Sequence, residues 1–190
     1  MYIDSHCHLN MLKLDADYPT IQDLIKDLKS YDIDLVLNIA TSMDDIPPVI
    51  DLAKQFDSVY ASCGIHPSEA PGVVYSMDDL MTYASEEKVI AIGETGLDYY
   101  YNTDHLEVMR ERFIMHIELA KRLKKPLIIH TRKAPEDTID LMAAHGAEQA
   151  GAVMHCFTES WSMAKQALDM GFYISISGIV TFKNADQAVE

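Results

Sequence analysis

The stretch Asp4-Ser5-His6-Cys7-His8-Leu9 sets two imidazoles two residues apart, close to the N-terminus. On an extended strand alternate side chains share a face, so Asp4, His6 and His8 form one row. Three such groups make a poor sheet core and a good wall for a pocket at a strand end. Four later stretches close in a similar way: Gly64-Ile65-His66-Pro67, Gly93-Glu94-Thr95-Gly96-Leu97-Asp98, His130-Thr131-Arg132 and His155-Cys156-Phe157. Five of the eight histidines fall at these positions, which scattered placement would not produce. Neutral imidazole and carboxylate bind zinc and manganese, while oxygen-rich sites favour magnesium. His6, His8, His130, His155 and Glu94 are more ligands than one tetrahedral ion takes. Two divalent ions about 3.5–4 Å apart, bridged by a carboxylate, would use them all. Glu94 reads as the one carboxylate at a central strand end and is the expected bridge.

The remaining reactive side chains have quieter explanations. His66, ahead of Pro67, either ends its strand or contacts substrate, with a ligand role the lesser expectation. His105, His116 and His145 lie on helical patterns and read as surface or packing residues. Cys7 alternates with His6 and His8 and so faces a packed layer. Cys63 and Cys156 read as small buried residues, with no Cys–His dyad to activate them. Asp98 fits a turn-fixing role through its side chain. Tyr99 to Tyr101 either stack on a base or sugar or pack on a loop. Asp4, one step deeper than His6, is expected to orient a histidine.

These groups need elements to hold them. Short β-branched runs alternate with amphipathic segments along the whole chain, and strands are expected over 2–9, 35–40, 59–65, 89–94, 126–131, 152–156 and 172–179. Ile21, Leu24, Ile25 and Leu28 follow helical i, i+3, i+4, i+7 spacing. Leu106, Met109, Phe113, Ile117 and Ala120 line the longest helix, with Thr103 its expected cap. Ser76 and Ser160 are expected N-caps, and Gly146 and Gly171 helix stops. Strand and helix in repetition imply parallel strands with right-handed crossovers. Spacing of roughly 30 residues suits an α/β, TIM-type (β/α)8 barrel. A doubly wound sheet is the rival, weakened by the lack of a Gly-rich phosphate loop. Only seven strands are legible, so the barrel is expected to be incomplete, lacking the eighth strand and last helices. Its open edges invite pairing between chains. With no linker and no break in composition, residues 1–190 are expected to form a single domain.

Composition narrows the function. A formal net charge of −15 argues against a broad electrostatic grip on duplex nucleic acid. It leaves room for a polyanion held locally by metal ions. No apolar run approaches the ~20 residues that span a bilayer, so no membrane partner is expected. The start lacks the basic and apolar regions of a signal peptide. Three cysteines form no disulfide framework, and a reducing, cytoplasmic setting is expected.

Together the motifs resemble the TatD family of metal-dependent deoxyribonucleases, within the amidohydrolase-type barrels. Besides the stretches above, Pro126-Leu127-Ile128-Ile129-His130-Thr131-Arg132, His155-Cys156-Phe157-Thr158 and Ser175-Ile176-Ser177-Gly178-Ile179-Val180-Thr181-Phe182 carry the resemblance, in order along the chain. It implies that His6 and His8 hold one ion with Glu94 bridging, and that His130 and His155 complete a second site. His66 and Arg132 match positions near the substrate, and the Arg132 guanidinium suits a phosphate. The implied activity is two-metal hydrolysis of DNA phosphodiesters at ends or on single strands, with zinc, manganese or magnesium, served by Glu94, Arg132 and His66. The family also expects a metal-binding Asp after an eighth strand, beyond the last residue of this sequence. Asp186, in a helix expected near Asn184, does not replace it. Metal is therefore expected to be held better between Glu94, His130 and His155 than at His6 and His8. Glu159 stands where a Gly is common and is expected to reshape its loop. Hydrolysis of another ester, amide or phosphate bond, or a non-catalytic truncated barrel, are the rival readings.

Overall fold

A computed structural model describes residues 1–100, 104–183 and 185. Seven parallel strands form one sheet in sequence order: β1 (Tyr2–Cys7), β2 (Ile33–Asn38), β3 (Val59–Cys63), β4 (Val89–Asp98), β5 (Leu127–Arg132), β6 (Ala152–Met154) and β7 (Tyr173–Ile174). A helix fills each crossover: α1 (Ile21–Leu28), α2 (Ile46–Gln55), α3 (Met77–Ala84), α4 (Leu106–Leu123), α5 (Pro135–Ala144) and α6 (Trp161–Asp169). The sheet curls strongly. His6 on β1 and His155 just past β6 have ring centroids 3.3 Å apart. In a flat sheet, five strand steps would separate them by roughly 24 Å. Parallel order, one helix per crossover and this curl make an incomplete (β/α) barrel of seven strands, with β1 and β7 at its edges among the described residues.

Local chemistry sets the helix ends. The Thr20 hydroxyl accepts the Asp23 amide at 3.2 Å, Ser76 and Asp79 form a reciprocal capping box, and Ser160 accepts the Met163 amide. Helices α5 and α6 stop just before Gly146 and Gly171, as their sequence implies. The expected cap Thr103, with Tyr101 and Asp186, lies outside the described residues. Outward strand residues such as Val36, Val59, Leu127 and Ile129 bury against Val49, Phe113, Ile117 and Met142. Full burial of one such side chain stabilises by about 1.5–3 kcal/mol. A thinner inner layer joins Ile39, Ala91 and Ile128 with Leu37 and Val153.

Every strand departs by a residue or more from its sequence-based limits, and three of the departures shape the site. Strand β1 ends at Cys7 because the Asn38 side chain takes the Leu9 amide at 2.8 Å, and Leu9–Met11 becomes a 3₁₀ turn. Strand β4 continues four residues past Glu94, through a register shift between Ile92 and Thr95. Strand β7 is short, since an edge strand has one neighbour. Its pairing runs on only through Ser175, which donates to Met154 and accepts from Phe157, and Gly178–Thr181 forms a 3₁₀ turn.

Candidate metal centre

Glu94 is placed by backbone geometry. Gly93, just before it, has φ +148°, and a Cβ there would lie 2.6 Å from the Ile128 carbonyl oxygen. Only glycine lets β4 press this closely on β5. The Ser62 hydroxyl donates to the Gly93 carbonyl at 2.6 Å and accepts the Ala40 amide at 3.1 Å. The Glu94 amide in turn donates to the Ala40 carbonyl at 3.0 Å. The register shift thus turns Glu94 towards the barrel interior, as bulges re-aim side chains at other sites. Two residues on, Gly96 pairs with His130, and a Cβ there would meet the His130 carbonyl oxygen at 2.0 Å.

Around the Glu94 carboxylate, which is 4% exposed, imidazoles converge from four strand ends. Its Oε2 lies 3.2 Å from His6 Nε2, and its Oε1 lies 3.2 Å from His130 Nδ1 and 3.7 Å from His66 Nε2. Two groups result, His6–Glu94–His155 and His66–Glu94–His130, each with ligand atoms within 4.8 Å of one another. Glu94 belongs to both, as a bridge should. The pairing differs from the one the resemblance implies: His155 sits with His6, its ring stacked within 5° of parallel, and His130 sits with His66. His8 stands outside both groups, edge-on to His6 with centroids 5.1 Å apart. Its Nδ1 donates to the Ile39 carbonyl at 3.1 Å, which leaves Nε2 bare at the pocket wall.

Partners of the rings sort their roles. The Ser68 amide donates to His66 Nδ1 at 3.1 Å, so the neutral ring carries its proton on Nε2 and faces the pocket as a donor. Distance alone admits His66 as a ligand, but this tautomer suits a substrate contact better. His130 Nε2 donates to Asp98 Oδ2 at 3.1 Å, while Asp98 Oδ1 accepts the Tyr100 amide at 2.9 Å. Asp98 therefore fixes the expected turn and also holds a histidine. The sequence did carry a signal for it: Asp98 is four residues from Glu94, an even spacing that shares a strand face. His116, expected as a packing residue, is fully buried; its Nε2 accepts the Ile65 amide at 3.1 Å and braces the loop carrying His66. Nearby, the Arg112 guanidinium donates to the carbonyls of Glu69, Ala70 and Val73, a clamp with no signature in the local sequence.

Asp4 does not orient a histidine. It is exposed, and its carboxylate accepts the His6 backbone amide at 3.0 Å, because the register shift after Asp4 breaks the simple alternation of β1. The Cys7 thiol donates to the Leu37 carbonyl at 3.4 Å, and burial pushes it and Cys63 up to about 12, so neither is a nucleophile at neutral pH. His105 and His145 sit at helix ends away from the cluster.

Electrostatics follow burial and proximity. Burial alone would raise the Glu94 carboxyl, but the hydrogen bond with His130 and the nearby His6 and His66 rings hold it well below the carboxylate range. Burial lowers His66 and His155 to about 4, so both are neutral near pH 7. Burial also acts to lower His130, and the bonds to Glu94 and Asp98 outweigh it and raise its pKa. Such a donor set fits a cation. His6 is largely buried, and neither of its ring nitrogens has a hydrogen-bond partner, since Nε2 is near Glu94 but poorly aligned with it. A buried imidazole left in this state is costly unless an ion takes its lone pair.

The cluster opens into a pocket of about 580 Å³ whose rim includes Arg132, Thr158 and Ile179. The Arg132 guanidinium lies 3.9 Å from the centroid of the Tyr100 ring. Glu159 accepts the Lys133 amide at 2.6 Å and ties the loop after β6 to the loop after β5, which is how it shapes this rim. Tyr99 faces elsewhere, bonded to Asp137 and Arg110.

Comparison with known proteins agrees with the chemistry. The profile of the TatD related DNase family matches residues 3–190. The chain is 42% identical over 185 residues to YcfH of Escherichia coli K12, an uncharacterized metal-dependent hydrolase, covering 97% of this chain and 69% of that protein. It is 35% identical over 193 residues to the uncharacterized metal-dependent hydrolase YabD of Bacillus subtilis, covering 100% and 74%. Among solved structures, the TatD homolog YjjV of Escherichia coli K12 superposes with a TM-score of 0.82 at 25% identity, over 95% of this chain and 70% of that one. The chain belongs to the TatD family of metal-dependent hydrolases.

Proposed function

We propose that the chain hydrolyses DNA phosphodiester bonds at ends or on single strands, with two divalent ions held around Glu94. One observation carries the reading: two ligand groups share the buried Glu94 carboxylate at the floor of a pocket that Arg132 lines. Zinc, manganese or magnesium bound there supplies Lewis acidity to a phosphoryl oxygen and a water of lowered pKa. His6, His8, His130 and His155, with Glu94, are the residues that would hold the ions. His66 Nε2–H and the Arg132 guanidinium donate to the phosphate, Arg132 with the two-pronged geometry that phosphate accepts well. Tyr100, against Arg132, offers an aromatic face for a terminal base.

The charge of −15 supports ends and single strands over intact duplex, because few phosphates beyond the pocket meet a cation. Three free cysteines fit a reducing, cytoplasmic compartment. The test is cleavage of end-labelled single-stranded and duplex oligonucleotides beside a generic carboxylic ester and a phosphomonoester, with and without EDTA. EDTA-sensitive cleavage that favours single strands is the expected result. Turnover of the ester or monoester with intact oligonucleotides would overturn it.

A further inference from the structure

We infer that Asp98 is a positioning residue, holding the His130 ring so that its Nδ1 is turned towards Glu94, where it would serve as a metal ligand. This rests on the metal-dependent reading above and goes beyond it, because Asp98 belongs to neither ligand group and would act through His130. The geometry is specific. Asp98 ends β4 in register with Arg132, its side chain is 4% exposed, and Oδ2 lies 3.1 Å from His130 Nε2. Its other oxygen is committed to the Tyr100 amide at 2.9 Å, so the carboxylate cannot swing. A ring that donates from Nε2 keeps Nδ1 for coordination, and Nδ1 lies 3.2 Å from Glu94 Oε1.

Neighbouring rings show how selective this arrangement is. His8 is oriented by a neutral backbone carbonyl, and His66 by Ser68. His6 has no hydrogen-bond partner on either ring nitrogen. Of these four rings, His130 alone leans on a second, buried carboxylate beside Glu94. A carboxylate behind an imidazole raises the basicity of the far nitrogen, and removing such an outer partner typically costs about 10–100-fold in metal affinity. The effect should fall on one ion. His6 lies at the other carboxylate oxygen of Glu94, and His155 stacks on His6.

The experiment is zinc titration from a chelator buffer, with stoichiometry by elemental analysis, on the wild type, Asp98→Ala and Asp98→Asn. Wild type should bind two ions. Asp98→Ala should weaken one of them by about 10–100-fold and leave the other within about 3-fold. Asp98→Asn, which keeps an acceptor oxygen without the charge, should recover part of that loss. Unchanged affinity in Asp98→Ala, equal weakening of both ions, or an Asn variant no better than Ala would each overturn the inference. Wild type that binds no zinc would instead reject the metal-dependent reading underneath. A readout free of any folding defect comes from histidine ¹⁵N NMR of the zinc-free wild type. A protonated His130 Nε2 is expected, and a bare one sinks the proposal.

Discussion

The two halves of the cluster around Glu94 come together by different means. His66, Glu94 and His130 come from the loop after β3, from β4 and from β5, three adjacent strands. Their spacing follows from ladder register and from the close approach of Gly93 and Gly96 to β5. His6 and His155 come from β1 and β6 and meet only because the whole sheet curls. The first half also has its hydrogen bonds in place, from Ser68 and Asp98, whereas His6 has none. One half is therefore built by local structure, and the other depends on closure of the sheet. Perturbations should separate them.

The largest effect should come from the residue the halves share. Glu94→Gln keeps the shape and removes the charge that both groups use. Metal content should fall from two ions towards none, and hydrolysis by on the order of 1,000-fold, the upper range for losing one charge-stabilising group. Elemental analysis with single-turnover cleavage checks it. Retention of either ion at wild-type affinity would mean that Glu94 is not shared.

Next in size, single ligands should divide the halves. His155→Ala should empty the site beside His6 and spare the one beside His130, with activity down by at least about 100-fold. His130→Ala should do the reverse. Loss of both ions from either variant would show that the halves are coupled and not separately built. His66→Ala, by contrast, should raise KM for an oligonucleotide and leave both ions bound, as its Nε2–H tautomer implies.

A smaller effect tests the local half through its backbone. Gly96→Ala puts a Cβ 2.0 Å from the His130 carbonyl at φ +139°, a region L-residues avoid. Strain of this kind costs about 1–3 kcal/mol, readable by urea denaturation. Zinc affinity should fall mainly at the His130 site. Wild-type stability in this variant would mean that β4 and β5 can part there without cost.

Much of this contrast was legible in the sequence, for physical reasons. Strand-end chemistry shows directly, because a polar residue closing a β-branched run has few structural uses. His6, His66, Glu94, His130 and His155 were all found that way, and seven strands followed from alternating patterns. What stayed hidden depends on distance across the fold. The pairing of His6 with His155 requires the curl of the sheet, which no local pattern encodes. Asp98 reads as a turn residue alone while β4 is expected to stop at Glu94, four residues short of its end. Asp4 departs for the opposite reason: strict alternation fails across the register shift that follows it. The anchors at Ser62, Ser68 and Arg112 are ordinary residue types that long-range contacts alone turn into supports.

The smallest expected effect is on the pH dependence of the metal-free protein, and here His130 has the opposite sign to His66 and His155. His66 and His155 titrate near 6.5 in the unfolded chain and at about 4 in the folded one. Between those values the unfolded state binds protons that the folded state refuses, so stability is lost as pH falls through that window. His130 has a raised folded pKa, so its contribution is fully present below about 6.5 and is lost as pH rises through the folded value. Urea denaturation in EDTA, from pH 8 down to about 4.5, should therefore give a shallow maximum rather than a monotonic slope. His155→Gln should flatten the acid limb, and His130→Gln should remove the alkaline decline and leave the acid limb in place. If His130→Gln left the alkaline limb unchanged, the bonds from His130 to Glu94 and Asp98 would not be what stabilises the local half, and the contrast with the His6–His155 half would rest on curl alone.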